Sequence, residues 1–213
     1  MPTQATNKIR TKRANLLLRV SKGHFATNHS HINYYIDVTT QKMRLSEAQA
    51  VAEELVSYYN ISTIVDTIIC LDGVEVIGTC LAHELTKGNF MNLNAHKTIY
   101  VVTPERTSGS QIIFRDNLKQ MIEGKNVLIL AASVTTGYTV SSAIEAIRYY
   151  GGMVAGVAAI FATQTEVCGI PVNSAFDTAD LDGYVSYPAH ECPLCRSGVK
   201  IDALVNGFGY SKL

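Results

Sequence analysis

The chain has 213 residues, of which 47% are apolar and 17% charged, and its basic and acidic residues balance. A single domain with a substantial core is expected at this length. No apolar run is long enough to span a membrane, and the polar N-terminus lacks the apolar stretch of a signal peptide. The five cysteines are scattered along the chain, so we expect reduced thiols and a cytoplasmic location.

The first 22 residues carry a positive charge that the rest of the chain offsets. They contain no acidic residue, which leaves 12 basic against 18 acidic residues, a net charge of −6, in the remainder. The pattern predicts a basic N-terminal helix, whose charge is either a solvated face or a contact surface for a phosphate, a nucleic acid or an acidic partner. Because no aromatic residues interleave with the basic ones, a nucleic-acid partner is not expected. The basic residues are Lys8, Arg10, Lys12, Arg13, Arg19 and Lys22.

Four apolar segments rich in Val and Ile predict strands that are buried on both faces. Helical patterns lie between them, so the expected fold is α/β, with a central, mostly parallel sheet flanked by helices. Ligands of such sheets bind at the carboxyl ends of the strands, which directs attention to the loops that follow. The segments are Ile64–Leu71, Thr98–Val102, Val127–Leu130 and Val154–Phe161.

Two helices are predicted most clearly. The first begins in a capping box at Ser46, after which apolar residues form one stripe. The second runs from Val140 to Tyr150 and is followed by Gly151-Gly152, which suits a helix C-terminus in the left-handed conformation. The stripe comprises Val51, Ala52, Leu55, Val56 and Tyr59.

The segment from Ser133 to Thr139 joins a buried strand to a helix through a turn rich in hydroxyl groups. A helix N-terminus offers unpaired N–H groups and the positive end of the dipole, and Gly137 lets the backbone approach a ligand closely. Ser133, Thr135, Thr136 and Thr139 add hydroxyl donors. The pattern indicates a phosphate site or an ordinary loop with Thr139 as N-cap. Neither GxxxxGK[ST] nor a GxGxxG after a strand is present.

Val134-Thr135-Thr136-Gly137-Tyr138-Thr139 resembles the phosphoribosyl-diphosphate (PRPP) motif of type I phosphoribosyltransferases. The stretches Gly23-His24-Phe25 and Tyr34-Tyr35-Ile36-Asp37 resemble the hood of the orotate branch of that family. The resemblance covers about residues 20–185. It implies the α/β fold, a hood over about residues 20–40, a homodimer and a role in nucleotide metabolism, with pyrimidine biosynthesis as the pathway of that branch. The Cys-containing tail over about residues 186–213 lies beyond it.

The resemblance also implies roles for particular residues. Thr135 to Thr139, Tyr138 included, would hold the 5′-phosphate of PRPP or of a nucleoside monophosphate, and Tyr34 and Tyr35 would lie near the base. The loop Asp72-Gly73-Val74-Glu75 would lie near the pyrophosphate, where family members use Mg²⁺ that Asp72 or Glu75 would assist. Arg106, in the loop Pro104 to Asn117 with its tip Thr107-Ser108-Gly109-Ser110, is either a catalytic residue on a mobile lid or a surface charge.

The sequence also departs from the family. Two acidic residues that hold the ribose hydroxyls are replaced by Ala131 and Ala132, and each lost charge-assisted hydrogen bond costs about 1.5–3 kcal/mol. Ala162-Thr163 stands where the orotate branch has an Asp-Arg pair, and Asn28 lies near the position of its hood lysine. Orotate is therefore not the expected substrate. Two functions remain open: phosphoribosyl transfer from PRPP to a nitrogenous base, or a catalytically weak or inactive regulatory protein that binds PRPP or a nucleotide.

The tail contains the sequence His190-Glu191-Cys192-Pro193-Leu194-Cys195. The spacing of His190, Cys192 and Cys195 suits three ligands of a zinc ion, a redox pair of thiols, or two inert thiols in a packed turn. A zinc site would need a fourth ligand from elsewhere. The aromatic, Gly-rich end from Ile201 to Leu213 is a candidate for packing against a second subunit.

Overall fold

A computed structural model of the chain describes residues 7–10, 16–87, 92–95, 97–108 and 111–213. In these ranges no helix is both long and apolar enough to cross a bilayer. Short 3₁₀ helices span Thr178–Asp180 and Ala189–Glu191. The other elements in chain order are β1 (Asn7–Arg10), β2 (Leu17–Ala26), β3 (His31–Asp37), α1 (Thr39–Met43), α2 (Leu45–Val56), β4 (Thr67–Cys70), α3 (Glu75–Thr86), β5 (Tyr100–Val102), β6 (Glu105–Arg106), β7 (Ile112–Ile113), α4 (Asp116–Lys119), β8 (Asn126–Val134), α5 (Tyr138–Tyr149), β9 (Met153–Ala162), β10 (Glu166–Val167), β11 (Ile170–Asp177), β12 (Ser186–Tyr187), α6 (Pro193–Arg196), β13 (Ala203–Asn206) and β14 (Gly209–Lys212).

The central sheet has the strand order β10-β11-β9-β8-β4-β5. All neighbours run parallel except β10, which pairs antiparallel with β11 at the edge. The four segments predicted as strands form β4, β5, β8 and β9, so the predicted α/β fold with a mostly parallel sheet is confirmed. Apolar clusters on the two faces of the sheet form the core, one with α2 and α3 and the other with α5.

Helix α2 is present, but the predicted capping box is wrong. The helix begins at Leu45, one residue before Ser46, and no side chain caps it. The Gln49 side chain, which a capping box would turn back onto the backbone, instead donates a hydrogen bond of 3.2 Å to the Glu53 carboxylate. The Glu47 carboxylate accepts two hydrogen bonds of 3.0 Å from the Arg19 guanidinium. The predicted stripe is buried at Val51, Ala52, Leu55 and Tyr59. Gly151 ends α5 with a positive φ of 79°, as predicted.

The predicted N-terminal basic helix is also wrong, because the described part of this segment forms β1 and β2. Leu16, Leu18 and Val20 are buried, and the residues between them are half-buried. This period of two is that of a strand, and the basic residues obscured it. Lys12 and Arg13 lie outside the described residues.

A second sheet contains the hood and has the order β12-β3-β2-β13-β14, with β1 paired to β2. Strand β13 of the tail runs parallel to β2 of the hood, with Ala203 opposite Phe25. The tail therefore packs on the hood of its own chain. This contact places the tail beside the carboxyl ends of the central strands.

Candidate functional site

A cavity of about 290 Å³ lies between the hood, the tail and the loops that follow β4 and β8. Every residue from Ser133 to Thr139 lines it, which agrees with the predicted location of a ligand. Asp72, Arg106 and Tyr35 face it from other elements. The site therefore combines the predicted phosphate loop with parts of the hood.

Helix α5 starts next to this cavity. Because β8 continues to Val134, the turn is limited to Thr135–Gly137, and Gly137 rather than Thr139 is the N-cap. Gly137 has a φ of +76°, and a Cβ at this position would lie 3.0 Å from a methyl group of Val167. No side chain caps the N-terminus of α5, so its first N–H groups are available to an anion.

Four residues with hydroxyl groups line the cavity beside this helix end: Ser133, Thr135, Thr136 and Thr139. Thr163 stabilises the turn, because its hydroxyl donates a hydrogen bond of 2.8 Å to the carbonyl oxygen of Thr135. Thr163 thus supports the predicted phosphate loop.

The loop after β4 has an unusual backbone. Asp72 and Gly73 both have positive φ, 62° and 79°. For a residue with a side chain this conformation costs energy, and such strain is concentrated at functional sites. Burial raises the pKa of the Asp72 carboxyl, and the charges of Arg106 and Lys42 partly oppose the rise. Val74 is fully buried in the core, so within the predicted segment 72–74 it is Asp72 that lines the cavity.

Arg106 lies in the β6–β7 hairpin, and its Nη2 lies 3.4 Å from Oδ1 of Asp72. The other arginine of the predicted loop, Arg115, instead forms two hydrogen bonds of 2.7 Å with Glu105. Among the described residues, Arg106 supplies the one guanidinium and Asp72 the one carboxylate that line the cavity. Gly109 and Ser110 of the predicted tip lie outside the described residues.

Lys42 is a residue of this region that the sequence did not single out. Its Nζ donates hydrogen bonds to the carbonyl oxygens of Asp72, at 2.6 Å, and Gly207, at 2.5 Å. Burial lowers the pKa of Lys42, while the charges of Asp72 and Glu75 oppose this effect. Lys42 lies in the five-residue helix α1, and no motif marks it.

The two hood tyrosines are placed differently. The Tyr34 hydroxyl donates a hydrogen bond of 2.7 Å to the Asp182 carbonyl, and its buried ring stacks on Tyr184. Tyr35 lines the cavity, where burial raises its pKa to about 12. The structure thus brings Tyr35, and not Tyr34, to the site.

The two alanines that replace acidic residues point in different directions. Ala132 lines the cavity, whereas Ala131 is buried in the apolar cluster beside α5. A carboxylate at position 132 would therefore face the cavity, whereas one at position 131 would enter the core.

The predicted ligand set of the cysteine tail is corrected by the structure. His190 is exposed, and its Nε2 lies 3.3 Å from the Glu191 carboxylate. The histidines that approach Cys192 and Cys195 are His24 and His31 of the hood. In the sequence, the seven-residue spacing of His24 and His31 within the hood was the signal that could have pointed to these two ligands.

Comparisons with known proteins agree with this architecture. No family model matches the chain. The orotate phosphoribosyltransferase of Chlorobaculum parvum is 28% identical over 182 residues, which cover 85% of this chain and 86% of that protein. The orotate phosphoribosyltransferase of Chlorobium phaeobacteroides is 27% identical over 185 residues, with the same coverage of 85% and 86%.

Solved structures show the same fold. Orotate phosphoribosyltransferase from Mycobacterium tuberculosis matches with a TM-score of 0.51 and 20% identity, covering 78% of this chain and 93% of that one. Adenine phosphoribosyl transferase from Trypanosoma brucei matches with a TM-score of 0.53 and 13% identity, covering 78% of each chain. The fold is therefore that of the type I phosphoribosyltransferases. In sequence, the chain is similar to the orotate phosphoribosyltransferases at low identity.

Proposed function

We propose that the chain binds a 5-phosphorylated ribose, as PRPP or a nucleoside monophosphate, with the 5′-phosphate at the N-terminus of α5. The observation that carries this proposal is the uncapped helix end at Gly137, which faces the cavity among four hydroxyl groups. Backbone N–H groups and the helix dipole favour an anion at such a position.

The proposed reaction is transfer of the phosphoribosyl group to a nitrogenous base with release of pyrophosphate. Arg106 supports it, because a guanidinium facing the cavity would bind the pyrophosphate oxygens and stabilise their charge as they leave. The relatives are named for orotate, but Thr163 braces the phosphate loop where that branch binds its base. We therefore leave the base open and expect little orotate turnover.

Mg²⁺ is part of this proposal. Among the described residues that line the cavity, Asp72 is the one carboxylate that could bind the ion. The Asp72 carboxylate is held beside Arg106. Mg²⁺ typically binds one or two carboxylates and keeps waters and substrate phosphates as its other ligands. Asp72 would thus hold an ion that the pyrophosphate brings, and the ion would neutralise phosphate charge.

A homodimer is proposed from the family resemblance. A cytoplasmic location is proposed because all five cysteines are unpaired.

Ala132 favours a second function, in which the chain is a catalytically weak or inactive regulatory protein that binds the same ligand. Within the part of the chain that the structure describes, the cavity wall at this point offers no carboxylate to the ribose hydroxyls. One missing charge-assisted hydrogen bond would weaken ribose binding by roughly 1.5–3 kcal/mol.

The test is calorimetric titration of the full chain with PRPP and with nucleoside monophosphates, followed by assays of pyrophosphate release with a panel of bases and Mg²⁺. Binding with turnover of one base supports the enzyme, and binding without turnover supports the regulatory protein. If neither ligand binds, both proposals fail.

The variant Ala132→Asp sharpens this test. A carboxylate at this position would reach the ribose, so PRPP should bind about tenfold or more tightly, as expected for one charge-assisted hydrogen bond. The Ala132→Asn control offers a neutral partner of similar shape and should gain less. Equal affinities in wild type and both variants would show that the ribose does not lie against β8.

A further inference from the structure

Four side chains from two distant parts of the chain meet at one point beside the hood. His24 lies on β2 and His31 on β3, whereas Cys192 is the N-cap of α6 and Cys195 lies within that helix. One nitrogen of each histidine and both sulfur atoms all lie within 4.8 Å of one another. In the described residues this is the one group of three or more His, Cys, Asp or Glu side chains in such a position.

The separations fit a tetrahedral ion. Zn–S bonds of about 2.3 Å and Zn–N bonds of about 2.05 Å place tetrahedral ligands about 3.3 Å apart for two nitrogens and about 3.6 Å apart for nitrogen and sulfur. His24 Nε2 lies 3.1 Å from His31 Nδ1, 3.5 Å from the Cys192 sulfur and 3.7 Å from the Cys195 sulfur. His31 Nδ1 lies 3.2 Å from the Cys195 sulfur.

The surroundings orient these ligands. His24 Nδ1 lies 3.0 Å from the carbonyl oxygen of Val199, to which it can donate only when it carries the proton. This contact leaves Nε2 with a lone pair directed at the two thiols, and such outer hydrogen bonds are typical of metal-binding histidines. Gly198, with a φ of +75°, turns the chain so that Val199 reaches His24.

We propose that His24, His31, Cys192 and Cys195 form a structural zinc site. The donor set of two thiolates and two imidazoles suits zinc, and four protein ligands leave no open position for catalysis. His24 and Cys192 are 1% and 2% exposed, while Cys195 is exposed and gives the ion a path of entry.

The site joins the hood to the tail, and the tail forms part of the cavity wall. Next to the cluster, the Asp202 carboxylate accepts a hydrogen bond of 2.8 Å from the backbone N–H of His24. Strand β13 then runs parallel to β2. At the end of β13 and just beyond it, Asn206, Gly207 and Phe208 line the cavity. The zinc ion thereby fixes the segment that closes one side of the candidate site.

The first experiment measures metal in full-length protein purified without an affinity tag. About one zinc per chain is expected in wild type, and less than about 0.2 in Cys192→Ser and His31→Asn, since each removes a ligand. His190→Ala and Cys168→Ser are matched controls, because neither side chain belongs to the cluster, and both should retain the zinc.

A second measurement does not depend on whether the variants fold. Wild-type protein is stripped with a chelator and loaded with Co²⁺, for which two thiolates in a tetrahedral site give intense visible bands and sulfur-to-cobalt charge transfer. The proposal is overturned by zinc below about 0.2 per chain with no such bands. It is equally overturned by loss of zinc in His190→Ala, or by a Cys192–Cys195 disulfide in freshly purified protein.

Discussion

The ammonium group of Lys42 donates a hydrogen bond of 2.5 Å to the carbonyl oxygen of Gly207, 165 residues further along the chain. The same nitrogen donates to the carbonyl oxygen of Asp72 at 2.6 Å. Because Lys42 is only 4% exposed, both bonds are shielded from water. One side chain thus connects α1, the loop after β4 and the tail at the cavity.

Replacing Lys42 with Met should lower the free energy of unfolding by about 1–3 kcal/mol, because it leaves two carbonyl oxygens without their shared donor. Urea unfolding measures the change. Lys87→Met is the control: Lys87 pairs with Glu84 on the surface, and its loss should change stability by less than about 0.5 kcal/mol. Equal effects in the two variants would show that the buried contacts of Lys42 contribute nothing.

Replacing Gly137 with Ala should weaken binding of PRPP and of nucleoside monophosphates by about tenfold or more, or about 1.4 kcal/mol. The left-handed backbone strains any side chain, and a Cβ here would also press on Val167 and shift the turn. Gly124→Ala is the matched control, since Gly124 has a φ of +67° with nothing within 4 Å of an added Cβ. The control should lose stability but keep its ligand affinity, and a weakened affinity there would contradict a local effect at the phosphate loop.

Replacing Arg106 with Met should separate the two classes of ligand. If Arg106 binds the pyrophosphate, affinity for PRPP should fall about tenfold, as expected for one charge-assisted hydrogen bond. Affinity for nucleoside monophosphates, which lack the pyrophosphate, should stay unchanged. Arg115→Met is the control, because Arg115 pairs with Glu105 and does not line the cavity. A parallel loss for both ligands, or none for PRPP, would refute this role.

Replacing Glu47 with Gln should cost about 1 kcal/mol of stability at pH 7, because the paired side chains are largely shielded. The hydrogen bonds from Arg19 lower the pKa of the Glu47 carboxyl. Its contribution is therefore present above the unfolded-state value of about 4.3 and is lost as the pH falls through the lower folded-state pKa.

Urea unfolding at pH 7, 5 and 3 checks this prediction. The difference between wild type and Glu47→Gln should persist at pH 5 and shrink toward pH 3. Glu53→Gln, which changes an exposed carboxylate on the same helix, should differ little from wild type at any pH. A difference that does not depend on pH would mean that the ion pair is not its source.

The sequence determined the central sheet and the hydroxyl-rich turn that leads into α5. Both are encoded locally: the segments Val127–Leu130 and Val154–Phe161 are apolar without alternation, and the turn to α5 carries its hydroxyl groups within seven residues. Such patterns reflect short-range geometry, so they can be read without the fold. The same reasoning failed at Ser46, where the helix begins one residue earlier and Gln49 bonds to Glu53 and not to the backbone.

Only the tertiary structure decided which residues of the hood and the tail contact each other. His24 and Cys192 are 168 residues apart in the sequence. Nothing in the sequence around either residue indicates that these two side chains, and not others, should meet. Burial of Lys42 likewise follows from the approach of Gly207 and not from the character of α1. Strand β13 of the tail pairs with β2 of the hood, and the alternation within a strand does not reveal which distant strand it pairs with.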